Sequence, residues 1–213
     1  MRTLPLIFIT YIAAISLTGQ AVASTVTIDY LNNSGVYQGG YAGGPRSVTI
    51  DGVPGEVVCD DFVGDVSVGQ VFTATVSTFD TLSGVRFQQA TPAATLQLYD
   101  EAGFLYHQTI AAPSPEWGNL QYALWAVFDP GVESQPGFTT TGTTPSSYWL
   151  NLAQTQTYTP GEFSNLVIYT PTDGKTQEFI GSVTTPEPGS LLLLAAGLLL
   201  MAGMGYKLRR AAI

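Results

Sequence analysis

Cys59 and Gln121 are the two residues of this 213-residue chain that simple packing explains least well. Cys59 is the only cysteine, and it follows Val57-Val58 in a predicted strand. In a secreted chain a lone thiol has no intramolecular disulfide partner, and an exposed one is open to oxidation or mispairing. Gln121 places an amide on the apolar face of a predicted helix, where an unpartnered amide costs about 1 to 3 kcal/mol. Burial of the thiol and backbone partners for the amide are the ordinary explanations.

A thiol and a primary amide that are held together in a dry pocket can also react with each other. They can condense with loss of ammonia to an internal thioester. An amine or hydroxyl of a partner then attacks the Gln121 carbonyl carbon, releases the Cys59 thiol and leaves a covalent amide or ester. This is single-use attachment without turnover, so we predict no enzyme and no cofactor. Water competes with capture, and the aromatic residues predicted to exclude it are Trp117, Trp125 and Phe128.

The helix that carries Gln121 is predicted over Glu116 to Phe128. Ser114 is a suitable cap, Pro115 suits the first helical position, and the run stops at Asp129-Pro130-Gly131. At about 100° per residue, one broad face collects the larger side chains. That face holds Trp117, Leu120, Gln121, Leu124, Trp125, Val127 and Phe128. A second helix is predicted within Ala94 to Thr109, although Gly103 interrupts it.

Alternating apolar and polar residues predict β-strands in the remainder of the domain. The predicted strands are 25–30, 47–51, 56–62 and 70–78, followed by a hairpin of 165–170 and 175–183 around the turn 171–174. The Gly-rich segment 35–45 predicts a loop. We therefore predict a mainly β, α+β domain, a barrel or sandwich with two short helices.

The N-terminus has the three regions of a secretory signal peptide. Met1-Arg2 is followed by the apolar stretch Leu4 to Leu17 and then by Ala21-Val22-Ala23. A small residue at Ala21 and another at Ala23 predict cleavage after Ala23, so residues 1–23 are expected to be removed during export by the Sec machinery.

The C-terminus predicts a single membrane-spanning helix. The 19 residues from Pro188 to Tyr206 carry no charge, close to the roughly 20 that cross a bilayer. The basic cluster Lys207, Arg209 and Arg210 is retained on the cytoplasmic side, which places the N-terminal part outside the cytoplasm. We assign the helix to residues 189–206, and the whole terminal segment to 186–213.

The order of these C-terminal features resembles the PEP-CTERM sorting signal of Gram-negative bacteria. Pro186, Glu187 and Pro188 stand before the hydrophobic helix, and the basic cluster closes it. The resemblance implies that exosortase, a membrane protease-transpeptidase, reads the signal. The protein would then pass from the inner membrane to the cell surface or extracellular matrix.

A second resemblance concerns the helix that carries Gln121. Gln121-Tyr122-Ala123-Leu124-Trp125 resembles the Gln-x-Ala-Ile-Trp signature of bacterial thioester domains, which occur in surface adhesins of Gram-positive organisms. The segment Leu96 to Leu105 looks like that family's Leu-Leu-Tyr-Asn-Gly helix region. By position, Gln121 matches the thioester glutamine and Cys59 the upstream cysteine. The family usually has an aromatic or aliphatic residue after the cysteine, where this chain has Asp60.

Charge excludes two classes of partner for the intervening domain, residues 24–185. It holds three Lys and Arg against 15 Asp and Glu, a formal charge of −12. A nucleic-acid binder and a protein that adheres to anionic lipid both need the opposite sign. The partner expected for a thioester is instead an amine- or hydroxyl-bearing surface or polysaccharide.

Two alternatives to a thioester adhesin remain open from the sequence. The first is a structural or exopolysaccharide-associated matrix protein in which Cys59 is buried and free. The second is a hydrolase that pairs Cys59 with His107, the only histidine. No metal site is predicted, because Asp60, Asp61 and Asp65 lack the spacing of a known calcium loop and are expected at a solvated strand edge.

Overall fold

A computed structural model describes residues 25–32 and 35–182 of the chain. Its main body is a closed barrel of six antiparallel strands, arranged in the order β1-β4-β5-β8-β7-β6, with β6 pairing back to β1. The barrel strands are β1 (Thr25–Asn32), β4 (Arg46–Ile50), β5 (Val53–Cys59), β6 (Val71–Thr78), β7 (Leu166–Pro171) and β8 (Phe179–Ser182). Closure leaves no open edge among these six strands.

The barrel core is built from apolar residues that alternate along the strands. Ile28, Val48 and Ala74 are almost completely buried, and they come from three neighbouring strands. Two aromatic contacts join further strands, since the Phe179 ring lies 6.0 Å from Phe72 and 6.1 Å from Tyr30. Phe179 also pairs with Cys59 in the register of β5 and β8, which fixes the end of β5 against the core.

Three helices fill the long connection between β6 and β7, two strands that are neighbours in the barrel. They are α1 (Pro92–Ala111), α2 (Trp117–Phe128) and α3 (Ser146–Thr155). The Thr91 side chain caps α1 by accepting from Ala94 N–H, and Pro92 occupies the first turn. The helices pack on one another, and α2 is the most deeply buried, with residues 118 and 120–127 inside.

A short hairpin separate from the barrel lies against α2. Its strands are β2 (Val36–Gln38) and β3 (Tyr41–Gly43), and the turn uses Gly39 and Gly40 at positive φ. The hairpin is held by Gln38, whose side-chain amide donates to Asn119 Oδ1 at 2.9 Å and to the Gly137 carbonyl at 2.7 Å. Tyr122 on α2 donates its hydroxyl to the Gln38 carbonyl at 3.1 Å.

The predicted mainly β fold with a small barrel is confirmed, and both predicted helices are present. Three local expectations differ from the structure. The segment 35–45, expected to be a loop, contains the β2–β3 hairpin, and a third helix, α3, was not predicted. Ser114 does not cap α2, because it begins a 3₁₀ turn, Ser114–Glu116, that leads directly into the helix.

Several predictions concern segments outside the described residues. These are the signal peptide 1–23 with Ala21 and Ala23, the helix 189–206, the motif 186–188 and the basic cluster Lys207, Arg209 and Arg210. Within residues 25–32 and 35–182, no helix is both long and apolar enough to span a membrane. The boundaries of the signal peptide and of the C-terminal helix stay predictions.

Candidate functional site

Cys59 and Gln121 lie together in the interior, although 62 positions separate them in the chain. The Gln121 side chain is completely buried, and Cys59 is 3% exposed. Gln121 Nε2 donates a hydrogen bond to the Cys59 carbonyl oxygen at 2.6 Å. The strand end that carries the thiol therefore meets the helix that carries the amide, and the contact is made through the Cys59 backbone.

The hairpin β2–β3 holds the other end of the Gln121 amide. The backbone N–H of Gly44 donates to Gln121 Oε1 at 3.1 Å inside the protein. Glycine is needed for this approach, because a Cβ on Gly43 would stand 2.8 Å from Gln121 Cβ. A Cβ on Gly44, whose φ is +100°, would stand 2.8 Å from the Trp117 ring. Both amide ends of Gln121 thus have a backbone partner.

The Cys59 thiol is held in its protonated form. Its sulfur donates to the Asp61 carbonyl oxygen at 3.1 Å. Burial raises the pKa of the Cys59 thiol far above its ordinary value, and the nearby Asp60 carboxyl adds to this rise. The indole N–H of Trp125 is buried without a hydrogen bond of normal geometry, yet it lies close enough to the sulfur to oppose this rise in pKa.

Aromatic rings surround Trp125 beside the thiol. Its ring lies 5.3 Å from Phe62, 5.3 Å from Tyr122 and 6.1 Å from Tyr41. Tyr41 and Phe62 also meet at 4.9 Å. Tyr41 belongs to the hairpin strand β3 and is 44% exposed. This aromatic cluster, Tyr41, Phe62, Tyr122 and Trp125, therefore extends from the thiol towards the surface.

The three residues predicted to shield the thioester occupy different places. Trp125 lies beside the thiol, and Trp117 packs next to Gly44 with its indole N–H donated to the Ala112 carbonyl at 3.0 Å. Phe128, at the end of α2, stacks on Phe87 at 4.4 Å. Tyr41 and Phe62 belong to the ring cluster but were not predicted as shielding residues. The prediction used the periodicity of α2, and neither residue lies on that helix.

A buried carboxyl cluster adjoins Cys59. Asp60 and Glu178 are 0% exposed and Asp61 is 1% exposed, so the expected solvated strand edge at Asp60 and Asp61 is wrong. Asp61 forms an ion pair with Arg86 and accepts from the Val63 and Gly64 N–H groups. These partners satisfy a charge that would otherwise be costly to bury.

Asp60 and Glu178 differ sharply in their partners. Glu178 accepts from the Tyr99 hydroxyl at 2.6 Å, from the Arg86 N–H at 2.8 Å and from the Thr170 hydroxyl. Both Asp60 side-chain oxygens are buried and lack such a partner. Burial, followed by Glu178 and Asp61, raises the pKa of Asp60 well above its ordinary value. Burial therefore favours the neutral form of Asp60, whereas the buried Glu178 carboxyl is satisfied by three hydrogen-bond donors.

His107 lies away from this arrangement. It is on α1, with its ring 5.5 Å from Phe163, and burial lowers its pKa. The Cys59 thiol instead donates to Asp61. In the part of the chain that the structure describes, no group of three or more His, Cys, Asp or Glu is placed to hold a metal ion.

A cavity of about 570 Å³ lies elsewhere, beside the first half of α1. Its walls include Phe79, Leu82, Leu96 and Phe163, and neither Cys59 nor Gln121 lines it. No cysteine or histidine lines this cavity. The chemistry therefore points to the closed Cys59–Gln121 contact.

The described part of the protein is a β-barrel with an inserted helical layer that encloses a cysteine–glutamine contact. Comparison with family models places the PEP-CTERM protein-sorting motif on residues 184–210, which confirms that recognition of the C-terminal segment. Exosortase is the reader that such a motif implies. A search of curated proteins finds no match to the chain.

Two solved structures are similar to this chain. One is the N-terminal thioester domain of a surface protein from Clostridium perfringens, with a TM-score of 0.46, 11% identity, and coverage of 74% of this chain and 98% of that one. The other is the N-terminal domain of the Streptococcus pyogenes pilus tip adhesin Cpa, with a TM-score of 0.46, 12% identity, and coverage of 78% and 97%.

Proposed function

We propose that this is an exported surface or matrix protein whose barrel domain carries an internal thioester between Cys59 and Gln121. Exosortase would process the C-terminal motif, and the domain would then attach covalently to a partner outside the cell. The protein acts once per molecule, so it is an adhesin and not an enzyme.

The observation that carries this proposal is the 2.6 Å hydrogen bond from Gln121 Nε2 to the Cys59 carbonyl oxygen. It supports the proposal because the Gln121 amide contacts the backbone of Cys59, the residue whose thiol would attack. The amide and the thiol are buried, so water is kept from the electrophile once it forms. The aromatic cluster supports the same reading, because it covers the thiol side of the contact.

Burial raises the pKa of the Cys59 thiol, so the neutral thiol is the form that the pocket favours after sulfur is released in capture. In the thioester the sulfur is already acylated and carries no proton. Attack by a partner amine or hydroxyl at the Gln121 carbonyl carbon breaks the carbon–sulfur bond, and the nucleophile's proton restores the thiol. Protonation of sulfur in a pocket that favours the neutral thiol makes the release hard to reverse.

Intact mass tests the proposal directly. The protein is purified at mildly acidic pH and weighed before and after exposure to methylamine. We expect a mass lower than the sequence predicts by one ammonia, and then a gain of one whole methylamine at Gln121 with a free Cys59 thiol. An unchanged mass together with a thiol present from the start would exclude the thioester.

The alternative is a structural or exopolysaccharide-associated matrix protein with a free Cys59. One observation favours it, since the thiol already donates to the Asp61 carbonyl at 3.1 Å and is satisfied without any reaction. Under this alternative, Cys59→Ser changes stability slightly and leaves cell-surface attachment unchanged. Under the thioester proposal, the same substitution abolishes covalent attachment.

A further inference from the structure

The Gln121 amide has one orientation in its pocket, fixed by two backbone groups. The Gly44 N–H is a donor only, and it lies 3.1 Å from Oε1. The Cys59 carbonyl is an acceptor only, and it lies 2.6 Å from Nε2. The amide oxygen therefore points to the hairpin connection and the amide nitrogen to the end of β5.

Charge develops on that oxygen whenever the Gln121 carbonyl is attacked. Both formation and opening of a thioester pass through a tetrahedral intermediate at Cδ, in which Oε1 becomes an oxyanion. A backbone N–H that is already directed at this oxygen, inside a dry site, stabilises the intermediate without rearrangement. We propose that the Gly44 N–H is the oxyanion donor for both steps, an inference that rests on the thioester function proposed above.

The two steps balance with this donor in place. In formation, Cys59 Sγ attacks Gln121 Cδ, and the intermediate collapses to expel Nε2, which leaves as ammonia with the thiol proton. In opening, the nitrogen of an amine attacks the same carbon, the carbon–sulfur bond breaks, and one amine proton passes to the sulfur. The Gly44 N–H donates to Oε1 in both intermediates and is not consumed.

The hairpin determines where this donor lies. Gly44 directly follows β3, and β2 is tied to the helical layer by the Gln38 side chain through Asn119 and the Gly137 carbonyl. Gln38 does not touch the reacting atoms, so it is a positioning residue for the Gly44 donor. Removing the Gln38 side chain is therefore expected to slow thioester formation and opening while thermal stability changes little.

Two glycines of the same segment provide a matched test. Gly44→Ala puts a Cβ 2.8 Å from the Trp117 ring at φ +100°, which must displace the donor. Gly40→Ala carries the same backbone strain at φ +94°, but its Cβ meets nothing within 4 Å. In full-length protein in detergent, loss of ammonia and the rate of methylamine opening are followed by intact mass. Near-ultraviolet circular dichroism confirms that each variant is folded.

We expect folded Gly44→Ala to lack the thioester, or to open about 10²-fold more slowly than wild type, as for loss of one oxyanion donor. Gly40→Ala should keep the wild-type rate. If Gly44→Ala does not fold, Gln38→Ala decides the question, with slowed opening as the supporting result. Gln38→Glu keeps the length of the side chain but has no N–H for Asn119 Oδ1 and the Gly137 carbonyl, so it should be slowed as well.

If folded Gly44→Ala is opened by methylamine at the wild-type rate, the assignment of the donor is wrong, although the thioester itself stands. If only Gln38→Ala folds, a wild-type opening rate in that variant has the same meaning. Equal slowing in Gly40→Ala would overturn it as well, because strain alone would then explain the effect. A wild-type protein that never loses ammonia would remove both this inference and the function on which it rests.

Discussion

The side chain of Gln121 spans the gap between two separate elements, donating to the Cys59 carbonyl at 2.6 Å and accepting from Gly44 at 3.1 Å. The contact joins the barrel, the helical layer and the hairpin at one buried point. Such a junction has a structural consequence as well as a chemical one, because a covalent bond here would link the barrel to α2.

The first prediction concerns stability. A Cys59–Gln121 bond closes a loop of about 60 residues, which the chain-entropy model values at roughly 4 kcal/mol. Protein whose thioester has been opened by methylamine should therefore unfold at lower denaturant concentration than untreated protein. Cys59→Ser treated and untreated with methylamine is the control, and its two unfolding curves should coincide. Coincident curves for the wild type would show that no cross-link had been present.

The second prediction concerns the thiol once it is free. Burial raises the pKa of Cys59, and the thiolate is the form that reacts with alkylating agents. In Gln121→Ala, which cannot form the thioester, iodoacetamide at pH 8 should label Cys59 slowly in the folded protein and rapidly in denaturant. Labelling is measured by mass. Equal rates in the two conditions would contradict the buried, protonated thiol.

Much of the site was predictable because its residues are unusual for their surroundings. A lone cysteine beside a strand and an amide within the apolar face of α2 both stand out in the sequence. The hairpin could not be predicted, since its strands have three residues each and Gly43 is needed only because Gln121 approaches it in space. The burial of Asp60 was not predicted for a related reason, because its neighbour Glu178 is distant in sequence.

The third prediction concerns pH. The pKa of Asp60 is raised in the folded protein, so its contribution to stability is complete below its ordinary pKa and is lost as pH rises through the higher folded value. We expect the unfolding free energy to fall as pH is raised above the ordinary pKa of an aspartate, about 4. Asp60→Asn cannot ionise and should remove much of this fall, at about 1.4 kcal/mol per unit of raised pKa.

The matched control for Asp60 is Asp80→Asn, which neutralises an exposed carboxyl. Its unfolding free energy, measured by urea titration at several pH values, should follow the wild-type pH profile. If Asp60→Asn also follows the wild type, the fall comes from another group, and Glu178, whose pKa burial also raises, would be the next to replace.

The fourth prediction concerns the sorting motif on residues 184–210. If exosortase cleaves there, protein recovered from the cell surface or medium should lack the basic cluster Lys207, Arg209 and Arg210. Replacing Pro186, Glu187 and Pro188 by alanine should leave full-length protein in the membrane fraction. The masses of the two fractions measure this. Full-length protein on the surface of wild-type cells would contradict processing.

The last prediction separates the residues that keep water from the thioester. Tyr41 is part of the ring cluster around Trp125 and is 44% exposed, so its removal should open a path to the thiol side with little loss of core packing. Tyr41→Ala should therefore shorten the lifetime of the thioester in buffer, measured as a mass gain of one water. Phe128→Ala is the informative comparison, because Phe128 stacks on Phe87 and not on Trp125. Its stability should fall, since a partly buried ring contact is lost, while hydrolysis of the folded fraction keeps the wild-type rate. If hydrolysis is faster in Phe128→Ala and unchanged in Tyr41→Ala, then the end of α2 excludes water and the ring cluster does not. That outcome would agree with the prediction of Phe128 made from the sequence.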